Sequence, residues 1–225
     1  MPAISLFLKQ LKQVQKAWVL QKMKTPIDFT VDYIIENEKV LLRPLQTNDF
    51  ENLIRFSLEQ PELWKYSLIT AAGDYNLRNY LQIAENGRND QKEYQFIVYD
   101  KTTNQYAGST RFYDIQVDFQ TLQLGYTWYG KEFQGTGLNK NCKYLLLEFA
   151  FEKWKMERAE FRADNENERS IAAMKSIGCK VDGILRSNMP KREGGRRDSI
   201  VLSILRHEWE TEVKEMLGKK IEDFR

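Results

Sequence analysis

Three consecutive small residues, Gly135, Thr136 and Gly137, stand between an apolar run ending at Tyr129 and a run whose apolar residues recur at helical spacing. Glycine lets the main chain approach a ligand closely, and successive N–H groups at the start of a helix converge on an oxyanion. The unpaired N–H groups of the first helical turn add the positive end of the helix dipole, so a diphosphate can be held there with little side-chain charge. The chemistry to expect of Gln134, Gly135, Thr136, Gly137, Leu138 and Asn139 is therefore anion binding, with Lys140 able to supplement the field. No G-K-[ST] follows the glycines, so a nucleotide-triphosphate loop would lack its lysine and its magnesium-binding hydroxyl. The third glycine of G-x-G-x-x-G is also missing, and a dinucleotide fingerprint would open a βαβ unit rather than follow antiparallel strands.

Other residues carry weaker signals. Asn167 and Ser170 are three positions apart at a helix start and so share a face, but both types also favour helix caps. Trp64, Tyr66, Tyr126 and Trp128 suit an acceptor pocket or the core; Trp64 and Tyr66, between the first two helices, are the pair to consider for a substrate. The K-R-E-G-G-R-R tip at 191–197 suits an acidic partner or a solvated turn. Cys142 and Cys179 read as packing residues, and with a single histidine, His207, there is no set of ligands for a metal site.

The elements that position the loop can be read from periodicity. Apolar residues up to about position 24 fit an amphipathic helix interrupted at Thr25-Pro26, and a polar connector follows. A short strand at 40–42 ends at Pro44, and Asn48 with Glu51 suggests a capping box for a helix to about Leu58. Asp74 is expected to cap a second helix, which Gly87 closes. Strands over 93–99, 106–115 and 122–129 form an antiparallel meander. After the loop come a helix to about Trp154, a strand over 158–163 and a helix from about Asn167 that stops at Gly178. Paired strands over 181–185 and 199–205 flank the charged hairpin. The order is α/β: a mixed, mainly antiparallel central sheet flanked by helices, with an extra N-terminal helix. Three regions are expected, namely an N-terminal helix and connector over 1–36, a main domain over 37–208 and a charged helical tail over 209–225.

Bulk composition narrows the function. The 34 basic and 32 acidic residues leave a net charge of only +2, which supplies no global field for nucleic acid or a membrane surface. No apolar stretch approaches the ~20 residues that a spanning helix needs, and lysines follow the short N-terminal apolar run too soon for a secretory signal. A reduced, cytoplasmic protein is the expectation.

With these segments in hand, the chain resembles the GNAT superfamily of N-acetyltransferases. The coenzyme A loop of that superfamily follows [RQ]-x-x-G-x-[GA], which Gln134 to Asn139 match except that Asn139 stands at the last small position. V-L-L-R-P-L at 40–45, L-G-Y-T-W at 124–128 and N-E-R-S-I-A-A-M-K-S-I-G at 167–178 are similar to the RimJ/RimL-type branch, and the likeness runs from about residue 40 to 206. The resemblance implies acetyl-CoA in a gap between the strands at 122–129 and 158–163, with the pantetheine arm on main chain near Tyr126, Thr127 and Trp128. It implies that Asn167 hydrogen-bonds that arm or the tetrahedral intermediate, and that Ser170 donates a proton to the leaving thiolate. The acceptor would be a primary amine, a protein N-terminus or a small amine, attacking directly in a ternary complex; whether the chain pairs with a second copy stays open. Where many members carry a glutamate, this chain has Gln123, so Glu62, Asp114 or water are the candidate bases. That glutamine also motivates the alternative of an acyl-CoA-binding module without turnover.

Overall fold

The computed structural model describes residues 27–192 and 194–222. The helix expected before position 25 and the last residues of the tail lie outside them. Eight strands form one sheet in the order β1-β2-β3-β4-β5-β6-β8-β7. They are β1 (Ile35–Glu36), β2 (Val40–Pro44), β3 (Tyr94–Asp100), β4 (Gln105–Gln116), β5 (Thr121–Tyr129), β6 (Arg158–Asp164), β7 (Lys180–Pro190) and β8 (Arg196–Leu205). Every neighbouring pair is antiparallel except β5 and β6. That parallel pair needs a crossover, supplied by helix α3 (Leu138–Glu148), which continues as a π-helical turn over Phe149–Lys153.

Helices α1 (Phe50–Glu59) and α2 (Asp74–Asn89) lie on one face of the sheet and α3 on the other. Adjacent residues of β4 point to opposite faces and show this directly. Ser109 meets the hydroxyl of Tyr80 on α2 at 3.3 Å, while Thr110 accepts a hydrogen bond from Lys143 on α3 at 3.3 Å. Helix α4 (Glu168–Ser176) packs beside β6, and the chain closes with α5 (Lys214–Glu222). Within the tail, Trp209, Val213 and Leu217 are buried, and α5 packs on α3.

Several local readings are corrected. The first helix is preceded by a 3-10 turn over Thr47–Asp49, where the Gln46 N–H donates to the Asp49 carboxylate at 3.0 Å, rather than by a capping box of Asn48 and Glu51. Asp49 is buried because the Arg43 guanidinium grips its carboxylate at 2.6 and 2.9 Å. Gly73 takes the cap position of α2 with φ of 85°, and Asp74 instead pairs with Arg78 one turn on, at 2.9 Å. The helix runs past Gly87, where a side chain would press within 2.9 Å of Glu93. The polar connector is anchored: Phe29 is buried, and Arg88 donates to the carbonyls of Phe29 and Val31 at 2.7 and 3.0 Å.

Candidate active site

The loop expected to bind an anion has the required backbone. Gly135 and Gly137 take φ of 80° and 87°, the left-handed region that favours glycine. Thr136 fixes the turn, donating to the Phe133 carbonyl at 2.8 Å and accepting from the Leu138 N–H at 3.4 Å. The first helical bond of α3 closes from the Asn141 N–H to the Gly137 carbonyl at 3.1 Å. The N–H groups of Gly135, Thr136, Gly137 and Asn139 have no partner among the described residues, and the first turn of α3 holds no acidic residue. This donor set suits a phosphate or diphosphate.

A gap opens beside the loop. β5 and β6 pair over only three positions, Thr121, Leu122 and Gln123 against Arg158, Ala159 and Glu160. Just beyond, the register with β4 shifts: one residue, Thr110, lies opposite two, Tyr126 and Thr127, and Tyr126 has φ of 48°. An extra residue of this kind bends a strand, and here β5 turns away from β6 and leaves main-chain groups that no strand pairs. The bulge is held from both faces. Arg111, fully buried and bonded to Glu93 at 2.7 Å, lies 4.3 Å from the centre of the Tyr126 ring. From the other side, Lys143 donates to the Thr127 hydroxyl at 2.7 Å. Burial raises the Tyr126 phenol above its ordinary range, keeping it neutral. The Trp128 indole faces away from the gap, packed on Trp64 (4.9 Å between ring centres) and Phe56 (5.8 Å).

Across the gap stands the start of α4. Asn167 caps the helix, its side-chain oxygen accepting from the Ser170 N–H at 3.1 Å. The capping role is thus present, and both residues are half-buried. Gln134 is not idle either: it donates to the Tyr129 carbonyl at 2.8 Å and accepts from Arg169 at 2.5 Å. Lys140 sits half-buried in the first turn of α3.

At the far end of β6 a shallow cleft open to solvent is lined by Lys65, Tyr66, Asp164, Glu166, Lys191 and Arg197, among others. Of the two aromatics considered for a substrate, Tyr66 faces this cleft and Trp64 is core, 1% exposed. The charged hairpin is not simply solvated. Arg197 is buried, donating to the Ser199 hydroxyl at 3.0 Å, and Lys191 pairs with Glu166 at 2.8 Å. Asp164, 5% exposed, lies one strand over, in register with Ser199. The base candidates named from sequence lie elsewhere or are engaged. Glu62 is exposed and held below the usual carboxylate range by its bond to Lys131, and Asp114 accepts from the Gln123 amide at 2.8 Å.

Asp164 and Lys143 escaped the sequence reading, and Arg169 and Arg197 entered it only inside longer motifs. For Lys143 a signal existed, since it falls between Cys142 and Leu145 to Leu147 on a helix otherwise buried along that side. Cys142 and Cys179 are buried free thiols, and burial pushes Cys142 up to about 12, consistent with packing. Among the described residues no group of His, Cys, Asp and Glu could hold a metal ion, and no helix is long and apolar enough to cross a membrane.

Comparisons with known proteins match most of the chain. A family model described as an acetyltransferase (GNAT) domain matches residues 39–180. The chain is 25% identical over 173 residues to a protein of Bacillus licheniformis named N-acetyltransferase p20, covering 76% of this chain and 96% of that one. A solved structure from T. thermophilus, named as an acetyltransferase, is 30% identical with a TM-score of 0.74 and covers 84% of this chain and 97% of its own. The RimJ of Mycobacterium smegmatis, solved with CoA-disulfide, shares the fold at a TM-score of 0.70 and 16% identity, over 84% of this chain and 93% of that one.

Proposed function

Because the chain belongs to the GNAT acetyltransferases, a family that uses acetyl-CoA, we propose that it transfers the acetyl group to a primary amine by direct attack in a ternary complex. The observation that carries this reading is the donor-rich loop at Gly135 to Gly137, which follows a strand bulged at Tyr126 and paired with β6 over only three positions.

Acetyl-CoA supplies an acyl group already activated as a thioester. The loop N–H groups of Gly135, Thr136, Gly137 and Asn139 would take its diphosphate, with Leu138 and Lys140 completing the first turn. Main-chain groups of Tyr126, Thr127 and Trp128 would take the pantetheine arm as an added strand. Asn167 would orient that arm through its amide nitrogen, and Ser170 would donate a hydrogen bond at the sulfur. Aligning amine and thioester supplies much of the acceleration, and no covalent nucleophile is required. The acceptor must shed a proton. Asp164 is our candidate to receive it, because it is a buried carboxylate at the open end of the cleft beside Asn167, whose N–H bonds to the Asp164 carbonyl at 2.9 Å. A protein N-terminus and a small amine both meet this chemistry.

Thiol release from acetyl-CoA in the presence of an amine panel is the test. At least one acceptor should exceed buffer, and Asp164→Asn should lower kcat about a hundredfold or more while leaving coenzyme A affinity intact. Coenzyme A binding with no acceptor above buffer would instead favour a binding module.

A further inference from the structure

Among the described residues, Lys143 is a buried cation with no carboxylate paired to it. The residue is 5% exposed, and its ammonium donates to the hydroxyls of Thr127 at 2.7 Å and Thr110 at 3.3 Å. Among the described residues no carboxylate lies within ion-pairing distance of it. The titratable groups near it are the thiols of Cys142 on its own helix and Cys179 after α4, and burial keeps both protonated. From β6 it is faced by Phe161, whose ring centre is 6.0 Å away. Burial without a counter-charge lowers the lysine to about 8.

An isolated buried ammonium is costly, and cores avoid one unless something offsets it. Its location indicates what that is. Thr127 is on the bulge of β5, and Phe161 is the first β6 residue past the last paired position, Gln123 with Glu160. Lys143 therefore lies where the two strands part. It is six residues into the chain from Gly137, about 9 Å along a helix axis, so it stands deeper in the gap than the phosphate loop.

Resting on the acetyl-transfer reading, we propose that the Lys143 ammonium is the counter-charge for the coenzyme A sulfur when it leaves as thiolate. As the acceptor nitrogen forms its bond to the carbonyl carbon, the carbon–sulfur bond breaks and its electron pair goes to sulfur. Lys143 stabilises that charge and hands over one proton to give the thiol; the proton shed by the acceptor nitrogen goes to Asp164, and the lysine is reprotonated from solvent as coenzyme A leaves.

The test reads the bound thiol directly, through the ultraviolet absorbance of the thiolate. The full chain is titrated with coenzyme A at about pH 7.5, with the sulfur-free analogue dethio-coenzyme A as the blank. Bound coenzyme A should carry a thiolate fraction about tenfold above that of free coenzyme A, a one-unit drop in thiol pKa. Lys143→Met should abolish the excess yet bind dethio-coenzyme A within about threefold of wild type. No excess in the wild-type protein would overturn the proposal whether or not the variant folds, and an excess that survives in Lys143→Met would assign it to the loop dipole. Failure of both coenzymes to bind would sink the acetyl-CoA reading itself.

Discussion

Arg169 donates to the Gln134 side chain at 2.5 Å, joining the start of α4 to the phosphate loop across the mouth of the gap. The exposed guanidinium thereby brings positive charge to a loop whose own charges are few. Arg169→Ala should raise the KM for acetyl-CoA about three- to tenfold with little change in kcat, because the lost contact is made equally before and during the reaction. Initial rates at varied acetyl-CoA settle it, and a dependence on ionic strength that shrinks in the variant would identify the effect as electrostatic.

Asn167 has two separable duties, and two substitutions split them. Asp caps a helix about as well as Asn, whereas Ala forfeits ~1 kcal/mol of stability. Asn167→Asp should therefore melt close to wild type but lose activity with the amide donor, while Asn167→Ala should lose both. Equal activity in Asn167→Asp and wild type would leave the residue as a cap alone.

Gly137 has φ of 87° at the cap of α3. A Cβ in that region costs ~1–2 kcal/mol. Gly137→Ala should lower stability by that amount and weaken coenzyme A binding more than tenfold, since relief of the strain re-aims the loop N–H groups; denaturant melts and calorimetry report the two effects separately.

The lysine beneath the bulge makes stability depend on pH in a defined direction. Its pKa falls from 10.5 in the unfolded chain to about 8 in the folded one. Below about 8 both states are protonated and the folded state bears the full burden of the buried charge. Between about 8 and 10.5 the unfolded chain holds the extra proton, so this group's contribution to stability rises with pH across that window. Wild type should gain on Lys143→Met from pH 8 to 10, and at neutral pH the variant should be the more stable, by on the order of 1–3 kcal/mol. Thermal melts of the two proteins across that range check the sign.

Much of the fold is local in origin and could be read from the chain. The meander, α3 and the loop follow from apolar spacing and glycine placement, and the Asn167 cap from its side-chain type. What escaped depends on partners remote in sequence. Nothing near Thr127 announces the bulge, because it is a mismatch of register with Thr110 on another strand. Asp164 looks like one more acidic residue until β8 brings Arg197 to the same cleft, and the first-helix cap moved to Asp49 because Arg43, on β2, bonds it. Long β7 and β8 extended past the expected ends since each supplies the other's hydrogen bonds out to Pro190 and Arg196.

The three-position seam between β5 and β6 also has a mechanical meaning. Among the described residues it is the only ladder joining a plate of strands β1 to β5 to a plate of β6, β8 and β7, so the sheet is two leaves on a short hinge. A ligand lying along the opening would act as a strut that ties the leaves together. Amides in the outer strands of both leaves, which the ligand does not touch, should then exchange with solvent more slowly when coenzyme A is bound.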